Sequence, residues 1–168
     1  MPSSEQRVID ALEELGLPFE RIRIDPAHAD TSVFCAQYGY PPETSGNTII
    51  VASKKEPKKF VACVVLATTQ LDVNKRVRKL MGVSKASFAS AEEMQALTGM
   101  EVGGVTPFSL PADMPLYVDT RVMEPESVIL GGGGRSLKIE ISPEVFHKLG
   151  AEVVTDLAMR RPVGETKA

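Results

Sequence analysis

The chain has 168 residues, 43% hydrophobic and 24% charged, the balance of one ordinary globular domain rather than of a disordered or fibrous chain. No apolar run, including residues 60–67, approaches the ~20 residues needed to span a bilayer, the polar start Pro2-Ser3-Ser4-Glu5-Gln6 does not read as a signal peptide, and the two cysteines, Cys35 and Cys63, make neither a disulfide framework nor a four-ligand zinc site. The net charge of −3 hides an asymmetry, because residues 53–85 hold nine bases against two acids and so carry +7, leaving −10 for the remainder.

A helix is expected first. Val8, Ile9, Leu12 and Leu15 recur at helical spacing, Ser3 or Ser4 can cap, and Gly16 with Pro18 ends it. Residues 19–24 alternate as a strand, Asp25-Pro26 turns the chain, and 31–37 form a short helix capped by Asp30 or Thr31. A Pro/Gly/Ser loop over 39–46 leads into NTIIVA (47–52), a basic turn (53–59) and FVACVVLA (60–67). Both runs are β-branched and apolar, as in strands buried in a sheet or barrel. Asp72 caps a helix with Val73, Val77 and Leu80 inward and Lys75, Arg76, Arg78 and Lys79 mostly outward; Gly82 ends it. Ser90-Ala-Glu-Glu93 is a capping box opening a helix to Leu97. A long loop over 98–113 follows, then strands at 116–119 and 127–130, a glycine run (131–134) and an alternating strand at 137–141. Ser142-Pro143 predicts one more helix, to Leu149, and 152–155 a last short strand. The order lacks regular βαβ alternation. It predicts an α+β domain over 1–159 with a mixed, largely antiparallel, barrel-like sheet surrounded by helices, and a polar tail over 160–168.

Chemical signatures are few. There is no nucleophile elbow, phosphate loop or paired-histidine metal motif, so no metal and no cofactor is expected. His147 lies on a helix surface. His28 follows a turn and is a candidate pocket residue, with a solvent-facing loop position as the plainer reading. Cys35 and Cys63 read as buried structural thiols. Adjacent glycines Gly103 and Gly104, with Thr106 and Pro107 behind them, can converge backbone N–H groups on an oxygen, or can simply form a long turn. Gly131, Gly132 and Gly133 can let a ligand lie against bare backbone, or can be a flexible hairpin turn.

The series NTIIVA, LDVNKRVRKLMG, AEEMQALTGMEVGGVTPF, PLYVD, the glycine run and RSLKIEISPE resembles the YbaK/EbsC family, the synthetase-associated editing domain, over roughly residues 6–158. The resemblance implies the fold above, no cofactor, and hydrolysis of the ester between a wrong amino acid and the tRNA 3′-terminal ribose. It implies that Gly103 and Gly104 hold the ester carbonyl and adenosine together with Thr106 and Pro107. Gly131, Gly132 and Gly133 line the pocket floor, and Asp119 occupies an acidic supporting position. The family's lysine at the start of the motif strand is replaced here by Asn47, followed by Thr48. Asn47 can donate a hydrogen bond but carries no charge. Lys54 and Lys55 stand about seven residues away at roughly 3.3 Å each, near 20 Å, and do not substitute. Lys54, Lys55, Lys58, Lys59, Lys75 and Arg76 become candidate contacts for phosphates of a tRNA acceptor end. The implied partners are tRNA and a prolyl-tRNA synthetase, in the cytoplasm and without a membrane. The alternatives are a non-catalytic relative that binds tRNA or an aminoacyl ligand, and a hydrolase or sensor for another small ligand.

Overall fold

The computed structural model describes residues 3–160. In chain order the elements are α1 (Ser4–Leu15), β1 (Phe19–Arg23), α2 (Thr31–Tyr38), β2 (Gly46–Ser53), β3 (Phe60–Leu66), β4 (Thr69–Leu71), α3 (Arg78–Met81), β5 (Ala86–Phe88), α4 (Ala91–Thr98), β6 (Leu116–Asp119), β7 (Val128–Gly131), β8 (Leu137–Ile141), α5 (Val145–Lys148), β9 (Glu152–Val154) and β10 (Ala158–Arg160). Local signals set the helix ends. The Ser3 hydroxyl accepts the Gln6 N–H at 3.1 Å, and Gly16 closes α1 in the left-handed conformation. Ser90 and Glu93 form the reciprocal capping box of α4, which satisfies two N–H groups that a helix start otherwise leaves open.

The strands form three sheets, ordered β1-β8-β7, β10-β4 and β5-β2-β3-β6-β9. Pairing is antiparallel except between β3 and β6 and between β6 and β9, so the sheet is mixed, as expected. The barrel-like closure is not formed as one hydrogen-bonded cylinder among the described residues. Instead, the three-stranded sheet covers one face of β3 and β6. Val64, Leu66 and Val118 pack there against Leu130, Ile139, Phe146 and Leu12. Alternate residues of β3, Val61, Cys63 and Val65, face the other way onto Val73, Val77, Met81 and Leu157. A strand buried on both faces reads as an unbroken apolar run because neither side-chain direction meets water.

Three departures from the sequence reading have tertiary causes. Strands β4, β5 and β10 are three residues each and exist because a partner strand is adjacent, which local pattern does not report. The helix after Asp72 begins as a π-helical turn over Val73–Val77 before α3. Asp72 caps it through the Lys75 N–H at 3.2 Å, and the wider turn lets both Val73 and Val77 reach the same cluster. Helix α5 starts at Val145 rather than at Pro143; the Ser142 hydroxyl accepts the Glu144 N–H at 3.2 Å in a preceding turn. Of the polar tail expected over 160–168, residues 161–168 lie outside the described residues.

Asp119 ends β6 fully buried. Its Oδ1 accepts the Arg121 N–H at 2.8 Å and its Oδ2 accepts the Ala158 N–H at 2.9 Å, while the Arg121 guanidinium pairs with it at 3.4 Å and donates to the Ala158 carbonyl at 2.8 Å. The carboxylate therefore holds β10 onto the end of β6. Removing it strands two buried N–H groups and part of a guanidinium, so Asp119→Ala is expected to lower stability by roughly 2–4 kcal/mol, measured by denaturant unfolding.

Candidate functional site

A cavity of about 580 Å³ opens between five segments. Its walls are Asp30 to Ser32 at the start of α2, residues 46–50 of β2, Phe88 to Met94 across β5 and α4, the loop residues Val102, Gly103 and Val105, and Gly131 with Lys138 at the back. A space of this size suits a nucleoside-sized ligand with a small appendage. Its lining mixes apolar residues, Ile49, Ile50, Phe88, Ala89, Met94, Val102 and Val105, with the polar Asn47, Thr48, Thr31, Ser32 and Lys138.

Two of the polar groups have hydrogen-bonding capacity that is not used within the structure. The Thr31 hydroxyl donates to Asn47 Oδ1, which fixes the amide so that its NH₂ is the uncommitted end. Thr48 Oγ1 is buried with no hydrogen-bond partner in the structure. An unpaired buried hydroxyl costs roughly 1–3 kcal/mol, a cost that a ligand donor or acceptor in the cavity would remove.

Lys138 is the cationic wall. It is 5% exposed, its ammonium donates to the Ala29 carbonyl at 2.7 Å and reaches the Gly103 carbonyl at 3.4 Å, and it lies 5.5 Å from the centre of the Phe34 ring. Burial pulls its pKa down from 10.5 to about 8, offset in part by Cys35 and Asp30 and reinforced by Arg135. The sequence reading passed over this residue. The alternation of β8 sends Leu137, Ile139 and Ile141 to the core and marks Lys138 as outward. Only the packing of α2 shows that this outward face is covered, by Ile22, Phe34 and Ile129.

The glycine loop is built by close backbone approach. A side chain on Gly104 would put its Cβ 2.4 Å from the Gly134 carbonyl, and one on Gly131 would meet the Val105 carbonyl at 2.5 Å. The Gly133 N–H donates to the Gly104 carbonyl at 2.6 Å. Gly103 has φ +88° and lines the cavity. The expected pair of oxyanion donors is altered, because the Gly104 N–H already donates to the Glu101 carbonyl at 2.9 Å. Among the described residues, no hydrogen bond occupies the N–H groups of Gly103 and Val105, and both residues line the cavity.

The other expected residues divide. Asn47, Thr48, Gly103 and Gly131 meet at the cavity. Thr106 and Pro107 are buried behind the loop, and Gly132 and Gly133 lie against Leu137 and α1, away from the cavity wall. His28 stands one residue outside it, its Nδ1 3.2 Å from the Tyr38 hydroxyl. Asp119 does not line the cavity; its oxygens serve β10 instead. Cys63 is fully buried and its thiol is pushed up to about 12, which keeps it inert. No group of three or more His, Cys, Asp or Glu that could hold a metal occurs among the described residues, nor any helix long and apolar enough to cross a membrane.

The family model of an aminoacyl-tRNA editing domain matches residues 25–149. The chain belongs to the aminoacyl-tRNA editing domain family. The matched span contains every wall of the cavity. EbsC of Enterococcus faecalis, by name a candidate Cys-tRNA(Pro)/Cys-tRNA(Cys) deacylase, is 27% identical over 60% of this chain and 59% of its own length. The uncharacterised protein YwhH of Bacillus subtilis is 33% identical over 60% of this chain and 66% of its own. The alignments thus span about three-fifths to two-thirds of these relatives. Among solved structures, the hypothetical protein APE2540 superposes with a TM-score of 0.81 at 27% identity, over 90% of this chain and 99% of that one.

In this editing domain the basic residues gather away from the cavity. Lys55 and Lys59 join Lys85 around a small cleft at the opposite end of β2. Lys58 pairs with Glu93 of α4 at 3.2 Å. Lys75 and Arg76 sit on the π-helical turn, which packs on the other face of the five-stranded sheet; Arg76 donates to the Thr155 carbonyl at 3.3 Å.

Two stability outcomes follow from this geometry. Gly131→Ala must push apart two backbones and is expected to cost about 1–3 kcal/mol in denaturant unfolding; unchanged stability would refute the close approach. For Lys138, the full burial cost is present below pH 8, where folded and unfolded chains both hold the proton. Between pH 8 and 10.5 the folded amine is neutral while the unfolded chain still binds a proton, so the wild type gains stability. Relative to Lys138→Met, that gain is at most about 3 kcal/mol across the range, measured by unfolding at each pH.

Proposed function

We propose that this domain hydrolyses the ester joining an amino acid to the 3′-terminal ribose of a misacylated tRNA, acting in trans in the cytoplasm beside a synthetase, with tRNA(Pro) as the first candidate. The observation that carries this reading is the meeting of Asn47, Thr48 and the loop around Gly103 in one half-apolar cavity, within a chain of the aminoacyl-tRNA editing domain family. The name of EbsC, a candidate deacylase of Cys-tRNA(Pro) and Cys-tRNA(Cys), supports the choice of tRNA(Pro) as the first candidate.

In this reading, water attacks the ester carbonyl carbon and a tetrahedral oxyanion forms. The N–H groups of Gly103 and Val105 are preset donors for that charge, worth more in a walled cavity than in water. Collapse breaks the bond to the ribose oxygen, which takes up a proton, and free amino acid and tRNA leave. The Asn47 NH₂ and the Thr48 hydroxyl orient the aminoacyl group, and the apolar wall around Met94 limits its size. Lys54, Lys55, Lys58 and Lys59 contact phosphates without reading sequence.

The test is a deacylation time course with Ala-, Cys- and Ser-tRNA(Pro) among a wider panel. Faster loss of amino acid with protein than without is expected for at least one. No acceleration across the panel refutes the reading, and saturable binding without turnover would leave a tRNA-binding relative. Asn47→Ala and Thr48→Val are each expected to lower kcat/KM about 10- to 100-fold, the range of a lost buried hydrogen bond. Glutamate at Lys54 and Lys55 is expected to weaken binding of every tRNA alike and to flatten its salt dependence.

A further inference from the structure

We propose that Lys138 is the group that ties two adjoining wall segments of the cavity together and presents its remaining N–H to the carbonyl oxygen of the aminoacyl ester. This rests on the deacylase reading and assigns that site its one buried cation. An ammonium has three donors. Two are directed at carbonyls of two adjoining wall segments, Ala29 at 2.7 Å and Gly103 at 3.4 Å, and Lys138 itself lines the cavity. The Gly103 carbonyl belongs to the residue whose N–H is a free donor, so the ammonium and the backbone donors converge on one region.

A purely structural lysine at this place is a poor explanation. Burying an ammonium costs several kcal/mol unless it is fully paired, and no carboxylate bonds it among the described residues: Asp30, the acid whose charge acts on it, is 64% exposed and pairs with Arg135 at 3.7 Å. Apolar side chains already surround its stem, from Ile22, Phe34 and Ile129, and a methionine would extend that packing without the charge. Retaining a cation whose burial holds its pKa at about 8 makes sense where negative charge develops on a ligand beside it. The ionisable or charged groups around it are Asp30 and His28 on the turn before α2, Cys35 on α2, Arg135 on the turn before β8, and Glu101 in the glycine loop. His28 directs its Nδ1 to Tyr38, and Asp30 and Arg135 pair with each other. Cys35 is the one thiol among them, and Cys35→Ser is the control for it.

The experiment has two arms. Single-turnover deacylation of the best tRNA substrate is followed from pH 6.5 to 9 for wild type, Lys138→Gln and Cys35→Ser, after subtraction of spontaneous hydrolysis. The wild-type rate is expected to fall above about pH 8, as the charge is lost; Cys35→Ser keeps that fall. Lys138→Gln is expected to lose at least tenfold in the single-turnover rate constant and to show no fall above pH 8. In the second arm, binding of adenosine carrying the amino acid through a stable 3′-amide is measured at pH 7. Lys138→Gln is expected to bind at least tenfold more weakly. Equal rates and equal pH profiles in wild type and Lys138→Gln overturn the inference, as does equal affinity for the amide. Should Lys138→Gln fail to fold, the wild-type profile decides, and a rate that does not fall between pH 8 and 9 overturns it. If the wild type turns over no tRNA, the deacylase reading fails separately, and the amide arm still judges Lys138.

Discussion

The site depends on two stretches of bare backbone lying in contact. Gly104 and Val105 run against Gly131 to Gly134 so closely that a methyl group at either glycine end would overlap a carbonyl of the other strand. The short bond from the Gly133 N–H to the Gly104 carbonyl, 2.6 Å, fastens them. This contact turns an extended surface loop into a cavity wall. Glycine makes it possible twice, by removing side-chain bulk from the interface and by allowing φ +88° at Gly103. With the loop held, the backbone N–H groups of Gly103 and Val105 have a fixed place rather than an averaged one.

Lys138 adds a second tie across the same wall, and its environment shows how the fold tolerates it. The aromatic rings of Tyr38 and Phe34 on α2 and of Tyr40 just after it stack in succession, with centroids 5.4 and 5.2 Å apart, and the middle ring faces the ammonium. A ring face supplies partial negative charge, worth around 1–2 kcal/mol when desolvated, and two carbonyls supply more. These contacts reduce the cost of burial without cancelling it, which is why the pKa stays well below the usual lysine value. The N-terminal turn of α2 serves the cavity in other ways. Asp30 makes no side-chain cap bond and leans toward Arg135, and the Thr31 hydroxyl goes to Asn47.

Much of this was legible in the residues. The unbroken apolar run of β3 reported burial on both faces, the Ser90–Glu93 box placed the start of α4, and the loop glycines pointed to a backbone-lined site. What was hidden depended on the third dimension. Whether the Gly104 N–H is free cannot be read from a pair of adjacent glycines, since its partner is the carbonyl of Glu101. Asp119 was expected at the site only because it matches an acidic position of the family the sequence resembles; its partners lie on Arg121 and on β10, a strand too short to announce itself. Asn47 drew attention as the place where a lysine is absent. The lysine that lines the cavity sits on β8, in register with Gly131 and Ile22, and nothing local to RSLKIEI says that a helix covers it.

The separation between cavity and basic residues bears on how a long polyanion could be held. The Lys58–Glu93 pair links the hairpin to α4, but both side chains are about one-third exposed, and surface pairs of this kind contribute at most about 1 kcal/mol. The rigid link is β2 itself. It is paired on both sides by β3 and β5 and carries Asn47 and Thr48 near one end and the basic turn at the other. A phosphate bound in the cleft of Lys55, Lys59 and Lys85 would therefore stand roughly 20 Å from a group in the cavity, several nucleotides along an extended strand. Lys75 and Arg76, on the opposite face of the sheet, could join such a track only if the ligand passed around the edge formed by β5. The hairpin and the cavity thus form one rigid ruler, and the helix-borne bases lie beyond it.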